Sequence, residues 1–268
     1  MTADPFGELA ARAEIVKLAR VLGEPPERFS FLATVPAADI RALREQTADA
    51  LFEANIGVLR RMAAASRLLP AGVLAAITEK AFGPLLSARM AGLVDPARGL
   101  DIARRLSPAF LADVAAELDP RKARAIISGI PAKLVSDVTR ELRRRNDWIT
   151  LGRFVDHAGE STAEAGLAVL DDAALLRVSF LLDDKTKAAA LVALLPHRRY
   201  EGILRAAGEH DLWHAVFALT GVLGEPESAA LTRAAGGLGE EPKREAVRRA
   251  RELGVLDRLG PLGEALTQ

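Results

Sequence analysis

The stretch "DPARGLDIARRLSPAFLADVAAELDPRKARAIISGIP", Asp95 to Pro131, places proline at 96, 108, 120 and 131, each at the head of a short apolar pattern. Asp95, Ser107 and Asp119 precede the first three of these prolines. An Asp or Ser side chain caps a helix by accepting from its exposed backbone N–H groups. Proline suits the next position, because the N–H it lacks is one the helix cannot satisfy anyway. Counted from each proline, Ile102–Ala103, Val114–Ala115 and Ile126–Ile127 share a helical face with Leu106, Leu118 and Ile130. The spacing predicts helices from Pro96, Pro108 and Pro120, each capped and followed at once by the next. Pro131 opens a fourth, with Leu134, Val135, Val138 and Leu142 on its apolar face.

The rhythm slips at "RRRNDW" and resumes. Asp147, Asp171 and Asp183 read as caps of helices starting near Trp148, Asp172 and Asp184, and Gly159 and Gly208 as helix ends. Helices this short are marginal alone in water and gain stability by stacking on neighbours. Two helices make a repeat of about 24 residues, shorter than the ~34-residue tetratricopeptide or ~40-residue HEAT unit. The expected fold is all-α: a solenoid-like superhelix with about 12 residues per helix, preceded by longer helices.

Both ends read differently from this middle. In residues 1–94, Asp4–Pro5 starts a helix through Leu22, closed by Gly23, and "EPPERFSF" is a turn-rich connection. A long helix then spans Ala37 to Leu68, and Pro70 and Pro84 bound two more. Residues 95–223 hold the short-helix repeats. Residues 224–268 read as two helices on a Gly-rich link, the second strongly charged and docking loosely. The three segments are expected to form one continuous elongated domain.

Composition agrees with this reading. Half the residues are hydrophobic yet only 4% are aromatic, so alanine and leucine, both good helix formers, carry the apolar fraction. The 36 basic and 36 acidic residues balance, which speaks against a chain built to coat nucleic acid or anionic lipid. There is no cysteine, hence no disulfide or thiolate chemistry, as fits the cytosol. No apolar stretch approaches the roughly 18 residues of a membrane helix, and the N-terminal segment is not a signal peptide. A cytoplasmic protein without membrane insertion is expected.

The phrases "LSPAFLADVAAELDPRKARAIISGIP" and "VLDDAALLRVSFLLDDKTKAAALVALLPHRRYEGIL" resemble the N-terminal cytosolic domain of MgtE-type magnesium transporters. The middle and C-terminal parts of flagellar motor-switch proteins have a similar helical pattern. The likeness covers roughly residues 95 to 208 and rests on leucine, alanine and proline at helical spacing. It implies a superhelix of short helices serving as a regulatory or interaction scaffold. No CBS-like αβ pattern and no membrane helices follow in this sequence, so it implies the scaffold and not the channel, and no site residue carries over.

Candidate chemistry is sparse. His210 and His214 in "GEHDLWHAV" are four apart and would share a helix face, with Glu209 or Asp211 beside them. Zincins place a catalytic Glu just after the first His. Here that position is Asp211 and no third ligand is evident, so a helix start at Asp211 with histidines at its edge is the preferred reading over a zinc site. Asp171–Asp172 and Asp183–Asp184 recur twelve apart and could hold a hydrated magnesium, but N-capping with a favourable helix-dipole interaction is the preferred reading. Arg143, Arg144 and Arg145, with Arg140, and Arg198 and Arg199, with His197, form two basic clusters suited to an acidic partner or phosphate. The first also sits at a helix C-terminus, where cations meet the dipole. No phosphate loop, dinucleotide fingerprint or nucleophile elbow is present.

The expected function is thus a non-catalytic protein-interaction or regulatory module with a protein partner and no cofactor. The competing class is a small-ligand or metal-binding protein, an enzyme included, with a pocket between the N-terminal helices and the repeats. An enclosed pocket with converging polar groups favours the second class.

Overall fold

A computed structural model describes residues 4–54 and 56–268, the side chains at 160 and 185 excepted. All its regular elements are helical, and no strand occurs among the described residues. In chain order they are α1 (Pro5–Leu22), α2 (Ala37–Glu53), α3 (Ile56–Ser66), α4 (Ala71–Ile77), α5 (Gly83–Ala91) and α6 (Pro96–Ala103). There follow α7 (Pro108–Glu117), α8 (Arg124–Ile127), α9 (Ala132–Arg144), α10 (Trp148–Val155), α11 (Glu160–Leu167) and α12 (Asp172–Leu181). The last are α13 (Lys185–Ala193), α14 (Arg199–Glu209), α15 (Trp213–Thr220), α16 (Glu225–Gly236), α17 (Glu240–Glu252) and α18 (Pro261–Thr267). Short 3₁₀ segments at Pro26–Leu32 and Leu256–Arg258 and a π-helical turn at Thr78–Phe82 complete the set.

The caps explain most boundaries. Asp95 accepts from the Arg98 N–H, Ser107 from Phe110, Asp147 from Thr150 and Asp171 from Ala174, each fixing the helix that follows. α1 closes on Gly23, whose φ of 69° is the left-handed conformation glycine tolerates best.

Several expectations are corrected. No helix starts at Pro120: Lys122 N–H donates to the Asp119 carbonyl in a turn, and only α8, one turn long, follows. Pro131 is the residue before α9 and not its first residue. The helix expected over 37–68 is divided into α2 and α3, the junction at 55 lying outside the described residues. Asp184, not Asp183, caps α13 through the Thr186 N–H. Gly159 precedes α11 and does not close a helix, and α14 runs past Gly208 to a left-handed Asp211 (φ 54°).

The chain divides into two compact units, Met1–Arg44 with Asp171–Gln268, and Glu45–Leu170, drawn differently from the segments 1–94, 95–223 and 224–268. In Glu45–Leu170, α5 packs on α7, α7 on α9 and α9 on α11, while α4 packs on α6 and α6 on α8. In the other unit α12, α14, α16 and α18 pack in sequence, as do α13, α15 and α17. Within these rows each helix leans on its next-but-one neighbour, so helices too short to persist alone share buried faces.

The core of Glu45–Leu170 centres on Leu74, Ile102, Leu106, Phe110, Val114 and Ile127. A Cβ at Gly99 would fall on the Ile126 side chain, so glycine lets α6 and α8 close together. In the other unit α1 and the 3₁₀ segment bury Ala11, Ile15, Leu18 and Ile40, and Trp213 stacks on Phe217 with ring centroids 6.0 Å apart. Ala207, Ala215, Ala235, Ala246 and Ala250 are fully buried, the structural counterpart of an alanine-rich, aromatic-poor composition. Two of them lie on α17, which is docked and not loose.

Candidate functional site

The histidine pair does not form a site on one helix. His210 follows the end of α14, Asp211 turns the chain, and His214 lies in the next helix. The His214 ring meets Phe180 edge to face at 4.8 Å between centroids, and burial pushes its imidazole below the ordinary value against the opposing pull of Asp211. Asp211 itself pairs with Arg249.

The tandem aspartates are likewise occupied by donors. Asp171 caps α12, Asp172 accepts from Arg199 Nε at 2.8 Å and Nη2 at 2.6 Å, and Asp184 caps α13. Among the described residues no group of three or more His, Cys, Asp or Glu is placed to hold a metal ion.

The basic clusters are partly neutralised within the chain. Glu141 accepts from Arg144 and Arg145, whose guanidinium groups bring it down to about 2. Arg145 also pairs with Asp113, and Arg143 lies in the last turn of α9. Arg199 is held by Asp172, and Arg198 stands at the start of α14.

Asp183 belongs to a charge network that sequence reading missed. Its carboxylate pairs with Lys17 and, at 2.7 Å, with Arg44, while its carbonyl accepts from Arg41 at 2.6 Å. Lys17 also contacts Glu14 at 2.6 Å, and Arg41 reaches Glu14 at 3.2 Å. Burial alone would raise the Asp183 carboxyl, but Lys17 and Arg44 outweigh it and hold it well below the usual range. Glu14 and Lys17 lie beside Ile15 and Leu18 on the buried face of α1, and that placement was the available sequence signal.

In Glu45–Leu170 the helices surround a partly open apolar cavity of about 200 Å³. Residues of α4 to α11 line it, and the long helices α2 and α3 contribute none. Among the described residues no charged side chain lines it; its polar side chains are Ser87 and the hydroxyls of Thr78, Thr139 and Thr162.

The same unit exposes apolar surface at its first helices. Leu51, Val58, Leu68, Leu69, Val73 and Leu85 are 38–86% exposed, six of the ten exposed large apolar residues described. Arg60, Arg61 and Arg67 lie among them in sequence. No helix among the described residues is long and apolar enough to cross a membrane. No protein-family model matches the chain, and no curated protein or solved structure matches it either.

Proposed function

We propose that this chain is a non-catalytic interaction module whose partner is a protein, engaged through the exposed apolar residues between Leu51 and Leu85. The concentration of exposure in these residues carries the reading. Exposed apolar residues are ordinary when scattered singly, whereas a concentration of them marks an interaction surface. A helical stack normally ends in a repeat with a polar outer face, and this unit begins with leucine and valine in water. Arg60, Arg61 and Arg67 favour a partner whose apolar face is bordered by carboxylates. The next-but-one helix packing supports the solenoid-like scaffold that the MgtE-type resemblance implies. The tandem aspartates serve as helix caps and ion-pair partners and His214 packs on Phe180, which favours a scaffold over an enzyme. The charge balance favours a protein partner over nucleic acid or membrane.

A photo-crosslinking residue at Leu68 or Val73, installed in producing cells, tests this. A single crosslinked protein from both positions, absent at exposed Arg205 and abolished by Leu69→Glu, is the expected result. Crosslinking no stronger than at Arg205 would overturn the proposal.

A further inference from the structure

The apolar cavity in Glu45–Leu170 suggests a second activity, independent of the exposed surface. We infer that it binds an extended, unbranched hydrocarbon chain, the acyl chain of a fatty acid or of a phospholipid.

Leu74, Ile102, Leu118, Ile127, Leu142 and Leu167, all of which line the cavity, are buried, and the cavity is partly open to solvent. Its lining draws on successive helices α4 to α11, and α5, α7, α9 and α11 pack in a row. At the usual 8–10 Å between packed helices, that row extends roughly 25 Å. About 200 Å³ spread along such a row is long and narrow, the shape of a chain and not of a ring. The lining holds water poorly, because an ordered water needs two to four polar partners and only scattered hydroxyls are offered, so an apolar ligand displaces water from it readily. An engineered apolar cavity of about 150 Å³ admits benzene for the same reason. The absence of charge from the lining among the described residues leaves an acidic or zwitterionic headgroup outside, so the chain enters and its head remains in water.

The test uses the full chain and cis-parinaric acid, a fluorescent fatty acid, with saturated acids of increasing length as competitors. Saturable fluorescence enhancement is expected, with competition strengthening steadily from hexanoic to palmitic acid. Ala115→Phe and Val138→Phe, which fill the channel from α7 and α9, should each weaken binding by about tenfold or more, through lost apolar burial. Thr139→Val with Thr162→Val preserves the shape and removes two hydroxyls, and should leave the affinity unchanged. If a filling variant fails to fold, mass spectrometry of lipid extracted from the purified wild-type protein decides between a bound chain and none. Transfer of labelled phosphatidylcholine out of vesicles, with no binding of free palmitic acid, would identify a phospholipid as the source. Binding of palmitic acid in the absence of vesicles would identify the free acid. No saturable binding and no co-purified lipid, competition that levels off at hexanoic acid, or binding unaffected by both filling variants would overturn the inference.

Discussion

Lys17 and Asp183, 166 positions apart, form an ion pair in which the lysine is fully buried and the aspartate keeps about 20% exposure. The pair joins the α1 helix to the turn before α13, within one compact unit. Lys17→Met should destabilise the protein by roughly 3 kcal/mol, the lower end of the range for breaking a buried pair. Arg44 continues to hold Asp183, but Glu14 loses its nearest cation. Urea unfolding gives the value directly, and a loss below about 1 kcal/mol, typical of an exposed pair, would show that the network is solvated.

Asp183 also sets an acid limit. Its folded carboxyl lies below the ordinary aspartate value, burial notwithstanding, because Lys17 and Arg44 favour the charged form. Below about pH 4 the unfolded chain takes up a proton that the folded chain refuses. The stabilisation is therefore fully present above that pH and is lost progressively as pH falls through the folded value. Asp183→Asn should flatten the decline of the urea midpoint below about pH 4, and an unchanged slope would count against this origin.

What the sequence disclosed depended on how local the determining chemistry is. Asp95, Ser107, Asp147 and Asp171 cap helices through N–H groups three residues on, so a few neighbouring letters contain the answer. Asp119–Pro120 misled because Asp followed by Pro also starts a β-turn, and nothing in the dipeptide distinguishes the two. Asp183 and Asp184 are equally good caps, and the choice was made by Lys17 and Arg44, far away in sequence. Glu14 and Lys17 three apart resemble an ordinary helical ion pair until that distant partner covers them. Apolar spacing marked Ile102, Val114 and Ile127 as buried, yet periodicity carries no information on whether their side chains meet or leave a cavity.

His214 gives a second pH dependence, well separated from the first. Burial lowers its folded value, with Asp211 opposing and Arg12 and Arg249 reinforcing. Between that value and the ordinary imidazole value of about 6.5, the unfolded chain binds the additional proton. Stability should be complete above about pH 6.5 and fall on acidification below it. His214→Phe keeps an aromatic contact with Phe180 and should remove this decline. Thermal melts of both proteins at about pH 7.5 and pH 5.5 measure it, and equal losses in the two would exclude His214 as the source.

Asp119 and Ile126 test how the turn and the short helix α8 share their support. Asp119 accepts from the Arg121 N–H at 3.0 Å and holds its guanidinium at 2.7 Å, while Arg121 also reaches Asp49 at 3.1 Å. Asp119→Ala should cost about 1 kcal/mol for the lost backbone acceptor, as at a helix cap. Asp119→Asn should cost less, because an amide oxygen can accept from the same N–H. Ile126 is buried against Gly99 but also lines the cavity, so part of its surface has no neighbour to lose. Ile126→Ala should therefore cost about 2–3 kcal/mol, near the foot of the range for a large-to-small core substitution. α8 has too few residues to stand alone, so Ile126→Ala should reduce hydrogen-exchange protection in α6, which packs on it, as well as in α8. Loss confined to residues 124–130 would mean that α6 is held by its other neighbours and that support does not pass along the row.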